Sequence, residues 1–342
     1  MQKIFVIVVT VLFLCPASLI AKINPIELNP PNFPIDEQEN RDPQKLITDI
    51  KKKIDAEPQN YENYGMLAFA YDYIGDYANE LEALKLEVQY LPDDLVDKDV
   101  IFGNLARAYM LNEQWEEGKK WLDKADKMNP RNFYNCWNAF DYYLLHKKEF
   151  KTAAFQLKRL QEFYENDRDQ YYEAYTKAFE NSVDPKEIIK LFKASVKLEP
   201  RNNKTHRALG VAIRNSSKDD YEKNMPSAIK VLKKALKLNS QYIPTYISIA
   251  DTYMLLGART DKDEDHQEAL DWFNQAYAIN PNDPRLAYAT GTFFYYRQEY
   301  DKAIEKLEFA YANGLEGDPL MTSKNSLRSW HRVVDFKEIF YF

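Results

Sequence analysis

The stretch YENYGMLAFAYDYIGDYANELEALKLEVQYLPDD, residues 61–94, decides the fold of this chain. Tyr64, Leu67, Ala68 and Tyr71 recur at the spacing that places side chains on one face of a helix. Gly75-Asp76-Tyr77 interrupts that spacing and reads as a turn. Leu81, Leu84 and Val88 resume it in a second helix, which Pro92 ends. A helix pair with one apolar side cannot bury that side alone and needs neighbours of its own kind.

Working outward, the neighbours are present. Phe102, Leu105, Ala106 and Tyr109 precede Trp115, Gly118, Leu122, Ala125 and Pro130. Trp137, Phe140, Phe150, Ala153, Leu157 and Leu160 mark a third unit without the terminal proline. Tyr172, Tyr175, Phe179, Ile188, Phe192, Ser195 and Pro200 mark a degenerate fourth, whose second helix starts at Pro185. Leu209, Gly210, Ile213, Ala228, Leu232, Ala235 and Leu238 mark a fifth. Ile249, Ala250, Tyr253, Gly257, Ala269, Phe273, Ala276 and Pro281 mark a sixth, and Gly291, Phe294, Tyr300, Ala303, Leu307 and Ala310 a seventh.

These residues resemble the tetratricopeptide family, whose unit of about 34 residues is a helix–turn–helix with small residues where helices touch and proline at the end. Ala or Gly at a crossing lets two axes approach, and a large residue opposite fills the gap. The resemblance implies an all-α, right-handed α-α superhelix of about seven repeats over residues 59–316. It also implies a concave groove that binds other proteins or peptides. Leu46, Ile50 and Ile54 predict a capping helix over 43–58, and Leu327, Trp330, Val334, Ile339 and Phe340 predict closing helices over 317–342. The last segment has a second reading, an exposed docking peptide. Extra residues at Asn215–Pro226 and Ala258–Gln267 are expected to project as loops.

The N-terminus is of another kind. Lys3, an apolar run from Ile4 to Leu14 and the small residues up to Ala21 form the pattern of an export signal over 1–21. A retained membrane anchor is the alternative, as is lipid attachment at Cys15. Pro25, Pro30, Pro31 and Pro34 make 22–42 an extended tether. Export implies a periplasmic or envelope-associated protein. With the signal removed, Cys136 is the one remaining thiol and no internal disulfide forms.

The formal net charge of −7 and the absence of a basic run exclude a nucleic-acid footprint. No phosphate loop, nucleophile elbow or His-x-x-x-His pair occurs, so neither cofactor nor enzyme chemistry is expected. Alternating acids at Asp261, Asp263 and Asp265 suggest a calcium loop, but His266 stands where glycine must turn the chain and Trp272 where a bidentate Glu is needed. A hydrated charged loop is expected instead.

The family's register places Asn104 and Arg107, Asn138 and Tyr142, Glu173 and Lys177, then Lys204, Arg207 and Arg214, and Arg285, Tyr288 and Tyr295 along the groove. Such a cationic strip inside an acidic protein suits an acidic or C-terminal segment of a partner. The carboxylate clamp of chaperone-binding relatives is not expected. Asn104 matches its middle Asn, but Gly65, Phe69, Asn135 and Ala139 occupy the other positions. Two further readings stand beside the adaptor: self-assembly through the convex face and loops, and a hydrolase-like site in the groove.

Overall fold

A computed structural model describes residues 42–96, 98–163, 169–216 and 221–314. The expected export signal with Cys15, the tether up to residue 41 and the closing segment 317–342 lie outside them. Among the described residues every regular element is helical. By their contacts these residues divide into an N-terminal unit, 42–174 with 193–198, and a C-terminal unit, 175–192 with 199–314.

In the N-terminal unit α1 (Pro43–Ala56) is followed by the pairs α2 (Tyr61–Tyr73) with α3 (Tyr77–Gln89) and α4 (Lys98–Leu111) with α5 (Trp115–Met128). The next pair is α6 (Phe133–Asp141) with α7 (Phe150–Leu160). Then come α8 (Gln170–Glu180) and α9 (Pro185–Leu198), through which the division between the units passes. Ile47 and Ile50 of α1 join Leu67, Ala68 and Tyr71 of α2, Leu81 and Leu84 of α3, and Leu105 of α4 in one core. Ala106, Met110, Leu122, Ala139 and Tyr142 continue the packing. The C-terminal unit pairs α10 (Asn203–Asn215) with α11 (Tyr221–Leu238) and α12 (Ile243–Thr260) with α13 (Asp263–Ile279). Its last pair is α14 (Pro284–Tyr296) with α15 (Tyr300–Ala312). Ala250, Met254, Phe273, Leu286, Phe293 and Ala303 fill its core. Truncating a fully buried ring such as Phe273 to Ala costs roughly 3–5 kcal/mol.

The small residues sit where the repeat pattern requires them. Ala106, Ala125, Ala153, Ala228, Ala250, Ala269, Ala276 and Ala310 are all buried. A β-carbon on Gly118 would lie 2.8 Å from the Ala106 carbonyl oxygen, closer than side chains approach backbone. That contact sets the α4–α5 separation.

Helix starts obey a local rule. A proline two positions upstream of an Asn or Asp recurs as Pro58/Asn60, Pro130/Asn132, Pro200/Asn202 and Pro281/Asp283. Each of these Asn or Asp side chains accepts from a backbone N–H in the first turn of the following helix. The turns inside the pairs are equally regular. Gly75, Glu113, Lys148, Ser182, Asp261 and Gln298 all adopt positive φ between a first and a second helix. Only Gly75 does so without steric cost.

Several expectations change. Ala258–Gln267 does not project as a loop. It lengthens α12 and α13, with Asp261 and Lys262 as the connection. The expected charged loop is therefore the first turn of α13, where Asp263, Glu264 and Asp265 face the positive end of the helix dipole. Within Asn215–Pro226, α11 already begins at Tyr221, and Pro226 lies inside it. The first helix of the third unit continues from α6 into a π-turn, Tyr142–His146, a widened form of helix. Phe179, read as part of an apolar face, is exposed.

Candidate functional site

The first helices of the C-terminal unit carry a polar network across three neighbours. Nε of Arg207 on α10 donates to the Pro244 carbonyl and to Ser248 Oγ on α12, both at 3.0 Å. Two turns further along α10, Arg214 Nη1 lies 3.6 Å from Asp251 Oδ2, also on α12. Arg214 Nε donates to Asn215 Oδ1 at 2.9 Å, and Asn215 Nδ2 donates to the Tyr175 hydroxyl of α8 at 2.6 Å. Asp251 lies deep between the helices but keeps 31% of its side chain open to water. Burial pushes its carboxyl above the usual carboxylate range, while Arg214 and Arg207 pull it back.

Helical spacing explains the arrangement. Arg207 and Arg214 are seven residues apart and project from one face of α10. Ser248 and Asp251, three apart, share a face of α12. The register had named the two arginines but not their partners. The available signal was Asp251 itself, an acid within the otherwise uncharged run Ile247–Gly257.

Other residues of the expected strip divide into presented and internal ones. Lys177, Lys204, Tyr288 and Tyr295 are half-buried on α8, α10 and α14. The Lys204 ammonium lies 5.9 Å from the Tyr242 ring centre. Tyr288 meets Tyr311 edge to face, and Tyr295 meets Tyr296 and Tyr300 in the same way. Arg285 pairs at 2.7 Å with its own helix cap, Asp283. Arg207 is 8% exposed, so it ties α10 to α12 rather than offering an open cation.

The N-terminal unit departs further from the expected strip. Asn104 and Glu173 are half-buried. Arg107 is engaged by two carboxylates, Asp72 at 2.7 Å and Glu80 at 3.0 Å. Burial pushes the Glu80 carboxyl up to about 7 against the pull of Arg107. Asn138 is buried and donates to the Gly103 carbonyl at 3.0 Å. Tyr142 is buried, its hydroxyl donating to Glu116 Oε2 at 3.3 Å. Arg107, Asn138 and Tyr142 thus hold helix pairs together, because each polar end finds its partner on an adjoining helix. Reading the arginines as an open cationic strip is corrected accordingly.

Reactive side chains have local partners. Cys136 is fully buried, and burial pushes its thiol up to about 11. His206 Nε2 bonds to the Pro200 carbonyl, and burial lowers its pKa. His146 stacks on Trp115 and pairs with Glu116. Among the described residues no cluster of His, Cys, Asp and Glu has metal-binding geometry, and no helix is long and apolar enough to cross a membrane.

No family model and no curated protein matches the chain. Solved structures do. A tetratricopeptide repeat protein from Parabacteroides merdae is 14% identical over 79% of this chain and 98% of its own, with a TM-score of 0.42. The C-terminal part of a TPR repeat-containing protein from Cytophaga hutchinsonii is 12% identical over 72% of this chain and 94% of its own, with a TM-score of 0.40. YrrB, described as a TPR protein with an unusual peptide-binding site, is 16% identical over 73% of this chain and 99% of its own, with a TM-score of 0.31. Superpositions this loose carry no argument about function, and the assignment rests on the chain's own features. Its helix pairs, buried alanines at the crossings and recurring left-handed turn residue give it the all-α fold of a tetratricopeptide-type solenoid.

Proposed function

We propose that this protein is a non-enzymatic interaction scaffold of the cell envelope, which holds segments of other proteins against the first-helix face of its C-terminal unit. The observation that carries the reading is the network joining Tyr175, Asn215, Arg214 and Asp251 across three consecutive first helices. Cross-helix bonds hold these polar groups in place while 31% of the Asp251 side chain meets water. A partner binding there finds its contacts already ordered, which lowers the entropic cost of association. The side chains of Lys177 and Lys204 add positive charge on the same helices, and Tyr288 and Tyr295 add rings that anchor with little loss of freedom. An acidic segment or a terminal carboxylate suits this set, since charge-assisted bonds to an ammonium group are stronger than neutral ones. Envelope location rests on the export pattern of residues 1–21.

The test is capture from native envelope extract with the full chain as bait, against a bait carrying Lys177→Glu and Lys204→Glu. Arg107 and Arg207 are left intact because each closes an internal contact. Both baits are first checked for equal helicity by circular dichroism. A partner retained by the first and lost by the second supports the reading. A partner held equally by both overturns it.

A further inference from the structure

A cleft of about 740 Å³ opens between α11 and α12, formed by other residues than the network above. Its apolar floor is Ile229, Tyr253 and Leu256, and its wall is a row of lysines, Lys230, Lys233, Lys234 and Lys237. We propose that this cleft is a second docking site and that its occupant is an acidic peptide segment carrying bulky apolar side chains.

The lysines carry the argument. Their spacing of three and four residues places them on one stripe of α11, about 10 Å long at the helical rise. Like charges at these spacings destabilise a helix. Elsewhere the chain relieves such lysines with an acid one turn away, as in Lys85 with Glu82, Lys120 with Glu117 and Lys302 with Glu299. Among the described residues, none of the four forms an ion pair. The C-terminal end of the helix dipole favours Lys237, in the last turn, but its effect fades before Lys230. The missing counter-charge is supplied by a carboxylate-bearing occupant.

The floor defines the rest of that occupant. Lys233 Nζ lies 3.4 Å from the Tyr253 hydroxyl, and it sits over the Tyr253 and Trp272 rings at 5.7 and 5.3 Å. These contacts hold its ammonium beside the apolar floor, where a carboxylate and an adjoining Leu or Phe bind together. A flat anionic bilayer fits poorly, because the basic groups line a concavity rather than a plane.

The probe is a fluorescein-labelled peptide of Glu and Asp interleaved with Leu and Phe, read by anisotropy against the full chain. Its Gln/Asn analogue and anionic phosphatidylglycerol vesicles serve as comparisons. The acidic peptide is expected to bind, and the analogue to bind roughly tenfold more weakly or worse. Lys230→Glu with Lys237→Glu, both at exposed positions, is expected to cost about as much. Lys230→Gln with Lys237→Gln provides a milder loss if the reversal disturbs folding. Lys52→Glu with Lys120→Glu, exposed lysines outside both sites, leaves the affinity unchanged, which separates a local effect of the α11 lysines from one of net charge. Failure of the acidic peptide to bind, equal binding of its analogue, or affinity indifferent to the α11 lysines overturns the proposal. Lysine-dependent binding of vesicles in place of peptide overturns it in favour of a membrane surface.

Discussion

Replacing Glu87 by Gln should make the protein more stable above neutral pH and leave it nearly unchanged in acid. Glu87 lies on α3, 7% exposed, against Gly65 of α2. A β-carbon at Gly65 would come within 2.5 Å of its carboxyl oxygen. Burial raises the carboxyl from its ordinary 4.5 to about 8, so it is protonated in the folded protein at neutral pH. The sign follows from proton uptake. Between these two values the folded state binds the proton more tightly than the unfolded chain, so stability is full below the lower value and lost as pH rises through the upper. Each pH unit across that window is worth about 1.4 kcal/mol, and the whole window up to roughly 5 kcal/mol. Gln is uncharged and of the same shape, and so avoids the loss. The assay is urea unfolding followed by circular dichroism at pH 5 and pH 9, comparing the variant with wild type. Glu80, raised to about 7, also tilts both curves, so the difference between the two proteins isolates Glu87. The two should differ little at pH 5, and at pH 9 the variant should lead by several kcal/mol. Parallel pH profiles would show that water reaches the carboxylate and that the burial argument is wrong.

Arg107→Met should destabilise the chain by about 3 kcal/mol, because it leaves Glu80 buried without its guanidinium. Adding Glu80→Gln should recover most of that loss, and a urea midpoint within experimental error of wild type for the single variant would sink the internal-tie reading. Gln298→Gly should stabilise by roughly 0.5–1 kcal/mol, since Gln298 sits at φ 61° in a turn that glycine adopts freely. A lowered melting temperature would contradict it. Gly210→Ala should destabilise by about 1–3 kcal/mol, as the new methyl would lie 2.6 Å from Leu232 Cγ. Unchanged thermal unfolding would mean that α10 and α11 have room to separate. Cys136 should resist alkylation by iodoacetamide at pH 7.5 until the chain is unfolded in urea, and mass spectrometry showing rapid labelling of the folded protein would refute its burial.

The fold was legible in the sequence because it depends on local spacing. Apolar residues three and four apart, a turn, and a second such run are visible without any knowledge of neighbours, and the alanines named from the pattern are all buried. Several helix starts are legible too, through the proline placed two residues before an Asn or Asp cap. The loops were misjudged for a physical reason. Extra residues inside a repeat can extend a helix as readily as project from it, and the choice depends on packing that the sequence does not display. In α12 and α13 they extended it, giving the acids of Asp263–Asp265 a helix N-terminus.

The candidate site was legible only in part. The sequence by itself determined which residue types fall on the first-helix faces, and so it named Arg107, Arg207 and Arg214. Only the tertiary structure decided what those arginines do. A guanidinium reaches across to whichever acceptor a neighbouring helix presents, and these acceptors lie 27 to 41 residues away along the chain. Repeat spacing brings them opposite one another in space, but their identity varies from repeat to repeat. Arg107 therefore became an internal tie to Asp72 and Glu80, and Arg207 a buried link to Ser248. Arg214 became a largely buried tie to Asp251, whose carboxylate side keeps the contact with water.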